Sequence, residues 1–120
     1  MSGVTKQSFD EPDERRTPAN LTVDFVLLGD TKAARMTMAP GWRWSESVKP
    51  IAQTDSCQVR HVGAGVQGVM HVVHDDGTEV DITAGDAYVI EPGHNAWVVG
   101  DETFVGFEFE SKAAAEYAKG

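Results

Sequence analysis

Turns that contain glycine recur at short intervals in this sequence, and this spacing restricts the fold more than any other feature. Between Asp55 and Glu110 they separate short runs rich in valine, isoleucine and aromatic residues, at Gly68, Asp76-Gly77, Gly85-Asp86 and Pro92-Gly93. Asp-Gly accepts the positive φ that tight hairpins need. About eight short strands without β-α-β alternation predict an all-β sandwich or closed barrel.

The chain length and the patterns along it predict one domain. A chain of 120 residues buries enough surface for a single core. Residues 1–20 are polar and lack a sustained period, so they are predicted to form an arm along the body. From Leu21 apolar and polar residues alternate as in half-buried strands, which gives a domain over residues 21–120. Ser111 is a candidate N-cap for a short helix over residues 112–118.

Charge and composition exclude several classes of partner. The formal net charge is −9, from 19 acidic and 10 basic residues, which disfavours nucleic acid and anionic membrane surfaces. No apolar run approaches the roughly 20 residues that span a bilayer, and the first residues lack the apolar centre of a signal peptide. The single cysteine, Cys57, fits a reducing compartment. We therefore expect a cytoplasmic protein.

The segment that begins at Asp55 carries the strongest candidates for chemistry. Asp55, Cys57, Val59 and His61 share one parity, which predicts a strand with Cys57 and His61 facing inward. An inward imidazole needs a partner, which can be a ligand, a metal or a neighbouring carboxylate such as Asp55 or Glu46.

The other histidines divide by parity. His71 and His74 fall on opposite faces of one predicted strand, so they cannot both face one cavity. His94 directly follows the Pro92-Gly93 turn, and it can either line the interior or bind backbone groups of that turn.

Aromatic residues suggest the wall of a ligand pocket. Trp42 and Trp44 share a face if their segment is extended, and with Trp97 they offer apolar and π surface to a ligand. Core packing explains Trp42 and Trp44 equally well. In the last predicted strand, Val105, Phe107 and Phe109 are expected to share one side.

The run GVQGVMHVVHDDGTEVDITAGDAYVIEPGHNAWVV resembles the core of the single-domain cupins. Its glycine before the central hairpin and its Gly-Asp and Pro-Gly turns carry the likeness, which extends over about residues 35–110. The resemblance implies a cupin-type double-stranded β-helix, or jelly-roll barrel, that often forms homodimers. It leaves function open, because cupins include many kinds of enzyme as well as storage proteins and ligand sensors.

Cupins that use a metal take it from two motifs that are altered in this chain. Where the family has His-x-His and then Glu, this chain has Asp55, Cys57 and His61, and the last family histidine falls on Ala96. His94 lies two residues earlier with the same parity. In one reading of this departure the site is rebuilt from Asp55, Cys57, His61 and His94, a set suited to Zn²⁺ or Fe²⁺, with Ni²⁺ and Cu²⁺ as weaker candidates. In the other reading the metal is absent, and the barrel holds an organic ligand with His61 and the tryptophans.

Three functions remain open from the sequence, of which the third is a purely structural dimer module. The first is a small enzyme acting on an organic molecule, with either a bound metal or His61 as general acid or base. The second is a non-catalytic ligand-binding or regulatory cupin dimer that uses the same pocket. In the metal-free case Cys57 is a small buried hydrophobic residue.

Overall fold

The structure is a computed structural model that describes residues 3–109. The helix predicted over residues 112–118 lies outside the described residues. Within them the chain forms nine strands: β1 (Glu14–Arg16), β2 (Leu21–Leu28), β3 (Thr31–Met38), β4 (His61–Gln67), β5 (Val69–His74), β6 (Glu79–Thr83), β7 (Ala87–Ile90), β8 (His94–Val98) and β9 (Phe104–Glu108).

These strands form two antiparallel sheets. One has six strands in the order β1-β2-β3-β9-β4-β7, and the other has three in the order β6-β5-β8. The β5–β6 hairpin turns at Asp76-Gly77, as predicted, with the Gly77 amide donating to the His74 carbonyl oxygen at 2.9 Å. The all-β prediction is confirmed. The buried faces of both sheets contribute to one core, which includes Val23, Phe25, Met36, Met70, Val72 and Phe104.

Strand β2 is buried on both of its faces. Val23 and Phe25 point into the core, as the alternation predicted, but Asp24 on the opposite face is also buried. Arg15 and Arg35 pair with the Asp24 carboxylate, at 2.6 Å and 3.0 Å. Because β2 is covered on both faces, the Asp24 carboxylate is buried and paired, whereas on a half-buried strand it would face solvent.

The N-terminal segment provides that coverage. Strand β1 pairs with β2, and the Phe9 ring packs against Phe107 with ring centroids 5.1 Å apart. Arg35 also donates to the Phe9 carbonyl oxygen at 3.3 Å. The predicted arm therefore lies along the body of the domain and contributes a short strand to its larger sheet.

The region before β4 departs from the predicted extended structure. Two helices of four residues each, α1 (Trp44–Ser47) and α2 (Lys49–Ala52), are followed by a loop over residues 53–60. The predicted strand from Asp55 is wrong, because it begins only at His61. Thr54 and Gln58 side chains bind the Ser56 carbonyl oxygen, local bonds that compete with strand pairing. Among residues 3–109, no helix has the length and apolar character required to cross a membrane.

Val105 and Phe107, which were predicted to share one side of the last strand, lie on the outer face of β9. Phe104, Gly106 and Glu108 are buried in the interior, whereas Phe109 is largely exposed. Phe107 faces outward, where Phe9 covers it. The outer face of β9 is therefore apolar where the N-terminal arm covers it.

We predict that Gly68→Ala destabilises the fold more than Gly77→Ala. Both glycines have positive φ, 78° and 95°, which costs a side chain about 1 to 2 kcal/mol. A Cβ at Gly68 would also lie 2.5 Å from the Thr103 carbonyl oxygen, whereas one at Gly77 meets no heavy atom within 4 Å. Urea unfolding should show about 1 to 3 kcal/mol of additional loss for Gly68→Ala. Equal losses would contradict this reading.

Candidate functional site

Cys57, His61 and His94 converge at one end of the barrel. His61 begins β4 and His94 begins β8. The Cys57 backbone bridges to His94, with its amide donating to the His94 carbonyl oxygen at 2.7 Å. The candidate ligand atoms of the three side chains all lie within 4.8 Å of one another, and all three residues are buried.

Each histidine is held through its Nδ1 atom. The His61 Nδ1 lies 2.8 Å from Glu108 Oε1, and the His94 Nδ1 lies 2.8 Å from the Glu91 carbonyl oxygen. Both partners accept, so Nδ1 carries the proton in each ring. The His61 Nε2 lies 3.7 Å from the Cys57 Sγ. Nδ1–H donation to a carboxylate or carbonyl is the usual support of a metal-binding histidine.

Glu108 is the buried anion behind His61. Its side chain is only 6% exposed, and its second oxygen, Oε2, accepts from the Tyr88 hydroxyl at 2.9 Å. Burial and the Glu108 charge raise the pKa of Tyr88 well above its ordinary value, so the phenol stays a donor. Both carboxylate oxygens are thus satisfied, as a buried charge requires.

Opposing effects set the protonation of the Cys57–His61 pair. Burial alone would lower the pKa of His61, but the Glu108 charge and the hydrogen bonds with Cys57 and Glu108 outweigh it and raise the pKa to about 10. Burial alone would raise the pKa of the Cys57 thiol, but hydrogen bonds and charge from His61 and His94 lower it to about 6. The sulfur is therefore biased toward thiolate, the form that binds metals and attacks electrophiles.

A small cavity adjoins this cluster inside the barrel. Its volume is about 20 Å³, close to the space that one water molecule needs. The residues around it are Met36, Met38, Trp42, Trp44, His61, Met70, Ile90, His94, Ala96 and Glu108. Side chains therefore fill most of the barrel interior in this conformation.

The structure separates the remaining predicted site residues from the cluster. Asp55 is exposed in the 53–60 loop and is not one of the three converging donors, because the strand that would have aligned it with Cys57 does not form. Glu46 is exposed on α1. Trp42 and Trp44 line the cavity, but Trp97 lies on the outer face of the smaller sheet, with Arg43 over its ring at 4.6 Å.

His71 and His74 also lie outside the cavity. His71 packs on Trp97 with ring centroids 5.0 Å apart and pairs with Asp81 and Glu79, at 2.6 Å and 2.9 Å. The His74 Nε2 lies 2.9 Å from the Pro92 carbonyl oxygen at the neighbouring turn. Both histidines thus support surface structure.

Sequence reasoning missed two residues of the site, Glu108 and Tyr88. Glu108 shares parity with Phe104 in a strand that is otherwise largely apolar, and a lone acid on a core face was the available signal. Tyr88 had no distinguishing signal, because a tyrosine in a barrel strand is ordinary core material.

A larger depression lies elsewhere on the molecule. It has a volume of about 670 Å³ and is lined by residues of β1, β2 and α2 together with Val48 and Val59. None of the three converging donors borders it. Size alone therefore does not identify the site, and the titratable cluster is the better guide.

Comparison with solved structures identifies the fold. A protein of unknown function from Rhizobium leguminosarum bv. viciae 3841 matches with TM-score 0.62 and 16% identity, over 90% of this chain and 97% of that one. KdgF from Halomonas sp. matches with TM-score 0.57 and 20% identity, over 83% and 89%. An RmlC-like cupin with a double-stranded β-helix fold from Methanocaldococcus jannaschii matches with TM-score 0.57 and 7% identity, over 98% and 97%.

These likenesses establish the architecture alone. No protein-family model matches the sequence, and no curated protein matches it. The chain is similar to small single-domain cupins and has their double-stranded β-helix fold, as the sequence predicted. At these identities the reaction has to be argued from the site.

We predict that His71 stabilises the protein more at acidic than at alkaline pH. Hydrogen bonds that His71 donates to Asp81 and then to Glu79 raise its pKa, so the folded state favours the imidazolium. This contribution is complete below about pH 6.5, the ordinary value for histidine, and is lost as pH rises through the raised pKa. His71→Gln should cost up to about 1 kcal/mol in acid and less in alkali, measured by urea unfolding. A cost independent of pH would contradict this assignment.

Proposed function

We propose that this protein is a small-molecule cupin that holds one divalent metal ion through Cys57, His61 and His94 and acts on a small organic substrate. One observation carries the proposal: three buried donors lie within 4.8 Å of one another, and both imidazoles are fixed through Nδ1 by acceptors. Core packing alone would require neither that the three donor side chains converge nor that both imidazole rings be held by Nδ1.

The chemistry of the donor set fits such an ion. One thiolate and two imidazoles suit Zn²⁺ and are compatible with Fe²⁺. Cys57 is biased toward thiolate, and the Nδ1 atom of each histidine is engaged by an acceptor, so sulfur and the two Nε2 atoms are the available donors. The raised pKa of His61 keeps a proton on its Nε2, which metal binding would have to release. Three protein ligands leave a coordination position for a substrate or water, as in catalytic zinc sites. Asp55 is exposed and takes no part.

Such a metal would supply Lewis-acid polarisation of a substrate oxygen or activation of water. The protein's own groups would orient and shield the reaction. Glu108 fixes the His61 ring, and Tyr88 holds Glu108 in turn. The methionine and tryptophan side chains around the cavity keep the site apolar, which strengthens the charge interactions inside it.

A metal-free reaction is the second candidate, favoured by the Cys57–His61–Glu108 geometry. The sulfur lies 3.7 Å from the His61 Nε2, and Glu108 binds the opposite ring nitrogen. This order of nucleophile, base and orienting carboxylate is the arrangement that activates catalytic cysteines. In this case His61 would serve as the general acid or base, and Cys57 would carry the nucleophilic charge.

Metal content separates the two candidates. We expect purified protein to hold nearly one equivalent of divalent metal, measured by elemental analysis. His61→Ala and Cys57→Ser should lose it, because each removes a donor. His71→Ala is the matched control and should retain the metal, since His71 lies outside the cluster.

Circular dichroism on the same variants should show a retained fold. A folded wild-type protein that takes up no metal on dialysis against Zn²⁺ or Fe²⁺ would exclude the metal proposal and favour the metal-free reaction. Equal loss of metal from His71→Ala would also contradict it, because binding would then occur elsewhere.

We further predict that Glu108→Gln weakens metal binding while leaving its stoichiometry unchanged. Glu108 contacts His61 and not the metal, and removing such an outer partner typically lowers affinity 10- to 100-fold. Competition with a chromogenic chelator would measure the change. Glu79→Gln is the control, because Glu79 binds the surface residue His71, and its affinity should match that of the wild type.

A further inference from the structure

The segment from Trp42 to Ser47 contains an unusual concentration of unsatisfied polar atoms. Among residues 3–109, the buried side-chain nitrogen and oxygen atoms without a hydrogen-bond partner are Trp42 Nε1, Trp44 Nε1 and Ser47 Oγ. Leaving such a donor or acceptor unpaired in the interior is unfavourable. Buried donors are normally paired, so a cluster of orphans in six residues points to a missing acceptor.

The two tryptophans that carry these donors line the same cavity. Trp42 and Trp44 are both more than nine-tenths buried, and both line the space that His61 and His94 also line. Indole Nε1–H can only donate. The absent partner is therefore an acceptor, and it would lie beside the candidate metal centre.

The cavity is bordered by side chains of a kind that adapts to a larger occupant. Its volume of about 20 Å³ fits a single oxygen or water. However, Met36, Met38 and Met70 line it, and these are all the methionines of the chain apart from the first residue. Methionine is unbranched and adapts readily to an altered shape, so a ligand of a few atoms can be accommodated by rotation of these side chains.

We propose that the indole N–H groups of Trp42 and Trp44 form a binding site for one oxygen atom of a small carbonyl or carboxylate compound. The two indoles hold that oxygen against the apolar wall, with the rest of the molecule directed along the methionine side chains. As a substrate site this inference rests on the proposed function, but the binding itself requires no metal.

The charges around the cavity affect a neutral carbonyl ligand and an anionic carboxylate ligand differently. Glu108 lines the cavity and would repel a carboxylate, whereas its pairing with His61 offsets that charge. A neutral carbonyl avoids the repulsion, and a carboxylate accepts stronger hydrogen bonds from the indoles. Formamide and formate have the same size and represent the two forms.

Nuclear magnetic resonance of the indole groups tests the site directly. Protein labelled with ¹⁵N at tryptophan gives one Nε1–H resonance for each of its three tryptophans, assigned with the three Trp→Phe variants. On titration with formate or formamide, we expect the Trp42 and Trp44 resonances to move saturably with one dissociation constant. Trp97 lies on the outer face and serves as the internal control, with an unmoved resonance.

The variants then quantify each donor. Trp44→Phe keeps the apolar ring and removes one hydrogen bond, so the dissociation constant read from Trp42 should rise about tenfold. Trp97→Phe should leave it unchanged. A shift with formamide alone would identify a neutral carbonyl ligand, and one with formate alone a carboxylate; either result supports the site.

Other results would overturn the site. Resonances of Trp42 and Trp44 that stay fixed with both compounds would mean that the cavity holds water only. Equal movement of Trp97 would mean non-specific binding, and an unchanged constant in Trp44→Phe would remove that donor.

The titration is repeated on metal-free Cys57→Ser protein. A saturable shift there, in a protein that never binds metal, would sustain the acceptor site while the metal centre fails. Loss of the shift in a wild-type protein that does bind metal would remove the acceptor site and leave the centre intact.

Discussion

The buried contact between Glu108 and His61 is the interaction on which the interior of this barrel depends. A carboxylate removed from water is costly unless it is paired and hydrogen-bonded, and here both of its oxygens are bound, by His61 and Tyr88. That pairing fixes the His61 ring and directs its other nitrogen toward Cys57. Glu108 therefore influences the Cys57 thiol through His61, and His94 adds to the lowering of the thiol pKa.

Much of the fold could be predicted, because the sequence carries it in local patterns. The Asp76-Gly77 hairpin and the inward side chains of β2 and β3 follow from turn chemistry and alternation. Coverage by distant segments of the chain could not be predicted in this way. Phe9 covers Phe107 on the outer face of β9, and Asp24 is buried because Arg15 and Arg35 cover it. Alternation within a strand cannot show which side a distant segment will cover.

The candidate site, too, could be predicted only in part. Cys57, His61 and His94 could be proposed from parity and turn position, and the structure brings them together. Cys57 nevertheless reaches the cluster from a loop, because backbone bonds to Gly93 and His94 hold it there. Glu108 could not be predicted as a site residue, because its partner His61 lies 47 positions away in the chain. Asp55 and Glu46 were predicted because they are near His61 in the sequence, and both are exposed in the structure.

The location of the three donors links the two sheets of the barrel. His61 begins a strand of the six-stranded sheet, His94 begins a strand of the three-stranded sheet, and Cys57 belongs to the loop that precedes β4. A ligand bound by all three side chains would therefore connect the two sheets at that end of the barrel. Binding would therefore raise the free energy of unfolding of the barrel, because a ligand that binds only the folded state stabilises it. The same three residues would then both bind the ligand and connect the two sheets.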